Sequence, residues 1–235
     1  MPPASETGTG QPVAHVVLMS GGMDSAVTLA LARRAGPCAA LHVDYGQRTR
    51  ERERQSFTAL CEHFTVTAQE VVTLDYLRRI GGSCLTDPTL AVPEGEDPDR
   101  AGVPISYVPF RNTHLLALGV SWAEVRGAER VWFGAVEEDS SGYPDCRETF
   151  VEQFNRLIAV GSRAGTIRVE APLLHLRKAE IIRRGADLGV PFERTWSCYQ
   201  GERTACGRCD SCRLRLRGFR EAGLEDPLPY AAPPR

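Results

Sequence analysis

Ser20-Gly21-Gly22-Met23-Asp24-Ser25 decides how this chain folds. The six residues follow an apolar run at 13–19 that reads as a buried strand. They open a stretch at 24–34 that reads as a helix. Two adjacent glycines let the main chain turn tightly and bring its N–H groups close to an anion. Ser20, Asp24 and Ser25 put hydroxyl and carboxylate groups at the positive end of that helix. Strand, glycine turn and helix N-terminus in this order are the wiring of a phosphate site. No Gly-Lys-Ser or Gly-Lys-Thr follows, so the kinase-type P-loop is excluded. The bland reading is a glycine-rich strand-to-helix turn with Ser25 near a cap.

Downstream of this turn, strand and helix patterns alternate. Residues 38–43 are apolar and compact and read as a second strand, which Asp44-Tyr45-Gly46-Gln47 breaks. Residues 48–63 carry Arg and Glu at helical spacing, the pattern of a solvated helix with a narrow apolar stripe. Strands are expected at 64–72, 130–136 and 166–170, and helices at 74–80, 111–125, 147–160 and 175–188. The last of these is ended by Gly189 and Pro191. Between them, 81–109 is dense in Gly, Pro and Asp and reads as a long loop, of the kind that is functional or disordered. Alternation of this sort argues for a parallel sheet covered on both faces, with ligands outside the carboxyl ends of the strands. The phosphate turn, the Asp44 turn and Gly134 all fall at that edge.

The chain has 235 residues and a net charge of −2, with no basic excess of the kind nucleic-acid binding leaves in a composition. Its longest apolar stretches fall well short of a membrane span. Residues 1–11 have neither a basic n-region nor an apolar h-region, so no secretion signal is expected there and the cytoplasm is the expected compartment. The expected organisation is a disordered leader at 1–12, an α/β domain at 13–190, a four-cysteine segment at 191–220 packed on the same domain, and a proline-rich tail at 221–235 that trails over the surface.

Cys198, Cys206, Cys209 and Cys212 are spaced C-x7-C-x2-C-x2-C. Four thiolates within so short a stretch fit a tetrahedral metal, with structural Zn2+ the first choice and an iron–sulfur cluster the competitor. Gly201 and Gly207 let the chain wrap the ion, and Arg203, Arg208 and Arg213 offset the thiolate charge. Cys38, Cys61 and Cys84 are scattered and read as small buried hydrophobes. The five histidines are assigned nothing.

Three further stretches carry chemistry-bearing side chains. Tyr107-Val108-Pro109-Phe110-Arg111-Asn112 closes the long loop at a helix start, where the Arg111 fork can reach phosphate oxygens. Glu138 to Arg147 packs carboxylates, Tyr143 and an arginine into one turn that includes Tyr143-Pro144-Asp145-Cys146-Arg147. Lys178 sits early in a helix, in Lys178-Ala179-Glu180-Ile181. Together with Asp44-Tyr45-Gly46-Gln47-Arg48, the phosphate turn and the cysteines, these motifs resemble the 7-cyano-7-deazaguanine synthase (QueC) family. The phosphate turn itself resembles the SGGxDS loop of enzymes that split ATP into AMP and pyrophosphate. The order and spacing agree from about residue 13 to 217. Phe110 departs from the pattern, standing where a small residue is expected, which affects the shape of the pocket wall.

The resemblance implies a Rossmann-like, adenine nucleotide alpha hydrolase-like fold. It implies that 7-carboxy-7-deazaguanine and ammonia become the nitrile preQ0 in queuosine or deazapurine biosynthesis, with ATP as substrate alongside Mg2+. Asp24, Arg111 and Lys178 are then expected to be catalytic. Met19, Ser20, Gly21, Gly22, Met23, Asp24, Ser25, Ala26, Val27, Thr28 and Leu29, with Asp44, Tyr45 and Gln47, are expected to contact ATP. Phe110, Tyr143, Asp145 and Arg147 are expected to contact the deazaguanine. Free ammonia is the expected nitrogen source and a homodimer the expected assembly, with no nucleic acid or membrane as partner. Two readings compete: a QueC-like enzyme that couples activated deazaguanine to a protein amine, and a tRNA-modifying thiolase of the same superfamily with an iron–sulfur cluster. A nucleotide-binding regulator would bind ATP without releasing pyrophosphate.

Overall fold

The computed structural model of the chain describes residues 13–95, 102–137 and 142–231. The elements run β1 (His15–Leu18), α1 (Met23–Ala35), β2 (Cys38–Asp44), α2 (Arg50–His63), β3 (Ala68–Thr73), α3 (Tyr76–Ile80), α4 (Arg111–Arg126), β4 (Arg130–Trp132), α5 (Glu148–Gly161), β5 (Arg168–Glu170), α6 (Lys178–Asp187) and α7 (Asp210–Ala222). The strands pair in the order β3-β2-β1-β4-β5, and every pairing is parallel. β1 is central and buried along its whole length. A strand covered on both faces needs apolar side chains at successive positions, which is why Val16-Val17-Leu18 does not alternate with polar residues.

The pleat sends neighbouring residues to opposite layers. Val17 of β1 and Cys38 and Ala40 of β2 enter a core with α1, α2 and α6, whose contributions include Val27, Leu60 and Ile181. Val16 and Leu18 of β1 and Ala39, Leu41 and Val43 of β2 enter the other core, with Leu116 of α4 and Val151, Phe154 and Ile158 of α5. A third cluster lies beyond the carboxyl edge of the sheet, where Cys84, Leu85, Val92 and Val108 of the long loop meet Trp196 and the cysteine segment.

Several boundaries depart from the sequence reading. The Phe133 N–H still donates to the Glu170 carbonyl of β5 at 2.9 Å, and residues 134–136 then run on beside the cavity, outside the strand. Gly134 lets the chain pass close to α1 there, since a Cβ would come within 3.2 Å of the Asp24 main chain and 3.1 Å of Thr28 Oγ1. Helix α6 starts at Lys178 rather than three residues earlier, with Glu180 accepting the Arg177 N–H at 2.8 Å. The 81–109 loop is anchored through its first half: Arg48 donates to the carbonyls of Cys84 and Asp87 at 2.6 and 2.8 Å.

Helix α7 was not anticipated, since a knuckle alone was expected there. The tail corrects a second expectation, because 224–231 does not trail over the surface. The Arg215 guanidinium, 1% exposed, pairs with both Asp226 oxygens at 2.8 and 2.9 Å. Tyr230 donates to Asp226 at 2.6 Å, and Leu228 is buried. The expected leader, residues 1–12, lies outside the described residues, as do 138–141 and 232–235.

Candidate active site

A cavity of about 290 Å3 opens at the carboxyl edge of the sheet. Gly21 takes φ +80°, and a Cβ there would collide with the Glu53 carbonyl. Only glycine meets both demands. Within the turn, Gly22 N donates to Ser20 Oγ at 3.2 Å and Ser25 Oγ donates to the Gly22 carbonyl at 2.9 Å. The hydroxyls thus hold the loop open around the first turn of α1, where unsatisfied N–H groups and the helix dipole favour an anion.

Lys178 Nζ donates to both carboxylate oxygens of Asp24 at 2.9 Å. The contact joins the first turn of α6 to the first turn of α1 and sets a cation beside the glycine pair. Arg111, at the start of α4, reaches the Tyr45 hydroxyl at 3.2 Å and lies over the rings of Tyr45 and Tyr143 at 5.4 and 6.0 Å. Its Nε and Nη2 are held by Asn112 Oδ1 at 3.1 and 3.0 Å. A guanidinium fixed on that side leaves its remaining edge directed by its neighbours rather than by solvent.

Behind the Asp44 turn, Gln47 accepts the Tyr45 N–H and donates to Glu53, each at 2.9 Å. Thr49 donates to the other Glu53 oxygen at 2.9 Å. Burial raises the Glu53 carboxyl to about 7, against the opposing pull of these two donors and of Arg111. Burial likewise pushes the Tyr45 phenol up to about 12 and the Cys146 thiol up to about 12. A neutral thiol at the cavity wall is a poor nucleophile.

Most of the expected residues meet here. Met19, Ser20, Gly22, Met23, Asp24, Ser25, Tyr45, Gln47, Arg111, Tyr143 and Lys178 all line the cavity. Ala26, Val27, Thr28 and Leu29 do not line it, since they point into the core as the continuation of α1. Asp44 turns back to accept the Gly46 N–H at 2.9 Å. Phe110 is 58% exposed and off the cavity wall, and Arg147 is exposed at the start of α5. Asp145 is buried behind the wall, where Oδ2 accepts the Asn112 N–H at 3.0 Å and so caps α4. Its Oδ1 is buried with no hydrogen-bond partner among the described residues.

Sequence reasoning missed Glu53, Trp196, Tyr199, Ser211, Leu214 and Arg215, which also line the cavity. Glu53 lay within an Arg-Glu run that looked solvated. Trp196 carries a signal visible only in three dimensions: its main-chain N–H donates to the Gly21 carbonyl at 2.8 Å, tying the cysteine segment to the phosphate turn. Tyr199, beside Cys198, is hydrogen-bonded through its side chain to Tyr143.

The sulfurs of Cys198, Cys206, Cys209 and Cys212 all lie within 4.8 Å of one another, a set that could hold a metal ion. Main-chain N–H groups of Gly201 and Cys206 point at Cys198 Sγ, at 3.2 and 3.3 Å. Those of Arg208 and Cys209 point at Cys206 Sγ, at 3.4 and 3.3 Å. Such donors stabilise thiolates. The donor set fits a closed four-thiolate site.

A family model described as "Queuosine biosynthesis protein QueC" matches residues 14–223. The chain is 53% identical over 222 residues to the 7-cyano-7-deazaguanine synthase of Chlorobium luteolum, covering 94% of this chain and 97% of that protein. It is 53% identical over 219 residues to the protein of the same name from Koribacter versatilis, covering 92% of each. Among solved structures it is similar to an NH3-dependent NAD synthetase from Campylobacter jejuni, at 16% identity and a TM-score of 0.46, over 78% of this chain and 67% of that one. It is also similar to NMN synthetase from Francisella tularensis, at 13% identity and a TM-score of 0.48, over 92% of this chain and 79% of that one.

Proposed function

The chain belongs to the QueC family, and from that premise we propose that it converts 7-carboxy-7-deazaguanine and ammonia to 7-cyano-7-deazaguanine, preQ0, at the expense of ATP. The observation that carries the reading is the convergence of the phosphate turn, the Asp24–Lys178 pair, Arg111 and Tyr143 on one cavity.

A carboxylate is a poor electrophile and its oxygen a poor leaving group. In the proposed first step a carboxylate oxygen attacks the α-phosphorus of ATP, and the bond to pyrophosphate breaks. Ammonia then attacks the acyl carbon. AMP leaves with the substrate oxygen, and a proton is lost to give the amide. In the second activation the amide oxygen attacks a second α-phosphorus, again releasing pyrophosphate. Loss of the N–H protons and of AMP leaves the nitrile. Both activations use the same groups.

The main-chain N–H groups of Gly21 and Gly22, with the Ser25 hydroxyl, hold the departing pyrophosphate. Lys178 and Arg111 stabilise charge that builds on the α-phosphate and pyrophosphate, a role in which one aimed donor is worth roughly 10²–10³ in rate. Asp24 holds Lys178 in place and is the carboxylate the phosphate turn offers to Mg2+, which when bound screens the triphosphate. Tyr45 and Gln47 face the adenosine part. Tyr143 offers an aromatic surface to the deazaguanine, and Asp145 is proposed as the acceptor for its ring N–H groups, although its Oδ1 lies buried behind the wall in this structure. Phe110 and Arg147 border this region from outside the wall.

We assign Zn2+ to the four cysteines, as a structural ion that leaves no open position. Free ammonia, a homodimer and a cytoplasmic location complete the reading. No helix among the described residues is long and apolar enough to cross a membrane. The relatives' name supports ammonia rather than a protein amine as the acceptor of the activated carbon, and sulfur transfer to tRNA has no comparable support.

The test is incubation of the protein with ATP, Mg2+, ammonia and 7-carboxy-7-deazaguanine, followed by mass spectrometry. Sequential appearance of amide and nitrile, with AMP and pyrophosphate, is expected. Absence of both products with an intact metal site would overturn the reading.

A further inference from the structure

The cysteine segment is not an appendage to the site, because the helix it launches reaches the expected catalytic lysine. Cys209 is the N-cap of α7 and Cys212 lies in its first turn, so two of the four sulfurs sit at the start of that helix. Two turns on, Gly218 packs against α6. A Cβ built at Gly218 would lie 2.5 Å from Lys178 Cγ and 2.9 Å from both Lys178 Cβ and Ile182 Cδ1. Contacts under 3 Å do not occur between real side-chain carbons, so only glycine lets α7 come this close. The φ of Gly218 is not in the left-handed region, since it lies within a regular helix. Space, not backbone conformation, is what requires it. Glycine in a helix interior costs about 1 kcal/mol relative to alanine, so its presence points to the contact it permits.

The contact falls on the aliphatic stem of Lys178 rather than on an inert neighbour. Lys178 sits at the first position of α6, and its ammonium group spans to both Asp24 oxygens at 2.9 Å. The same face of α7 is fixed by Arg215, one turn before Gly218, through its pair with Asp226 and its 2.6 Å bond to Thr195. The helix therefore has one end at the sulfur cluster, its middle pinned by a buried ion pair, and a glycine saddle on the stem of Lys178.

We propose that Gly218 is a positioning residue, and that α7 transmits the geometry of the cysteine cluster to the Lys178 ammonium beside the phosphate turn. The inference rests on the role proposed above for Lys178, and it adds that the metal knuckle acts on catalysis through this saddle.

The test compares Gly218→Ala with Gly218→Ala/Ile182→Val, in which removal of Cδ1 gives the new methyl room on the Ile182 side. Gly185→Ala serves as control. That glycine, on α6 with Lys178, packs against Phe192 and Val27 instead of the Lys178 stem. In the double variant, thermal stability and metal content are expected to return close to the parent's. ATP-dependent AMP formation is expected to stay about tenfold or more below it in kcat, with the KM for ATP changed much less. Gly185→Ala should lower thermal stability while retaining kcat at a permissive temperature. A crystal structure of the double variant is expected to show Lys178 Nζ drawn away from at least one Asp24 oxygen. Parental kcat in the double variant, or an unaltered Lys178–Asp24 pair, would overturn the proposal. The structural readout needs no turnover. A parent that makes no amide or nitrile would therefore count against the proposed reaction and leave the saddle to be decided by the Lys178 position.

Discussion

Asp24 and Lys178 are 154 positions apart in the chain, yet the ammonium group touches both carboxylate oxygens. Each was visible in the sequence as a member of a motif, but the pairing was not, because it depends on α1 and α6 presenting their first turns to the same strand edge. Glu53 shows the opposite case. Nothing in Arg50-Glu51-Arg52-Glu53-Arg54 separates Glu53 from Glu51, and only folding gives Glu53 the donors Gln47 and Thr49 and lifts its carboxyl from the ordinary 4.5 to about 7. The sign of the consequence follows from linkage: a carboxyl raised on folding contributes stability that is complete below about 4.5 and is lost as the pH rises through about 7. The charged groups acting on it are Arg111, which favours ionisation, and Asp44, which opposes it. Denaturant unfolding of the parent and Glu53→Gln should show the parent losing stability relative to the variant between those pH values. The upper bound is roughly 3 kcal/mol. A pH-independent difference would mean the carboxyl titrates normally.

At the scale of elements, strands and helices that repeat a simple pattern were the legible part. The phosphate turn, β2, α4 and α5 stand within a few residues of where hydropathy and Gly or Pro signals put them. Helix α7 was hidden because its buried face carries Asp210, Cys212, Arg215, Gly218 and Phe219, of which only Phe219 is a large apolar side chain. A charged residue on a helix's inner face becomes readable only once its partner, here Asp226, is known. The cysteine spacing was legible, but not its attachment to the site through Trp196 and Gly21. That attachment gives Cys209→Ser a defined expectation. Loss of one sulfur should lower bound metal, measured by mass spectrometry of the elements, and melting temperature together. The expected fall is on the order of 10 °C, taking a few kcal/mol and roughly 2–4 °C per kcal/mol for a chain of this size. A variant that stays fully loaded and equally stable would show that the cluster is not a closed metal site.

For the whole molecule, one parallel sheet sets every group at the same edge, and the chain's last segments return to complete that edge. The order β3-β2-β1-β4-β5 puts β1 at the centre and delivers its phosphate turn to the middle of the cavity. Reading windows of a sequence finds such strands but not the tail that locks against them, because the Arg215–Asp226 pair gains its strength only when both charges leave water together. The proposed reaction turns on AMP being handed to an oxygen of the substrate carboxylate while the glycine pair holds pyrophosphate. Its most direct test uses 7-carboxy-7-deazaguanine with both carboxylate oxygens replaced by oxygen-18. Every AMP released on the way to nitrile should carry one heavy oxygen, with none in pyrophosphate. Unlabelled AMP, or label recovered in phosphate or pyrophosphate, would contradict it.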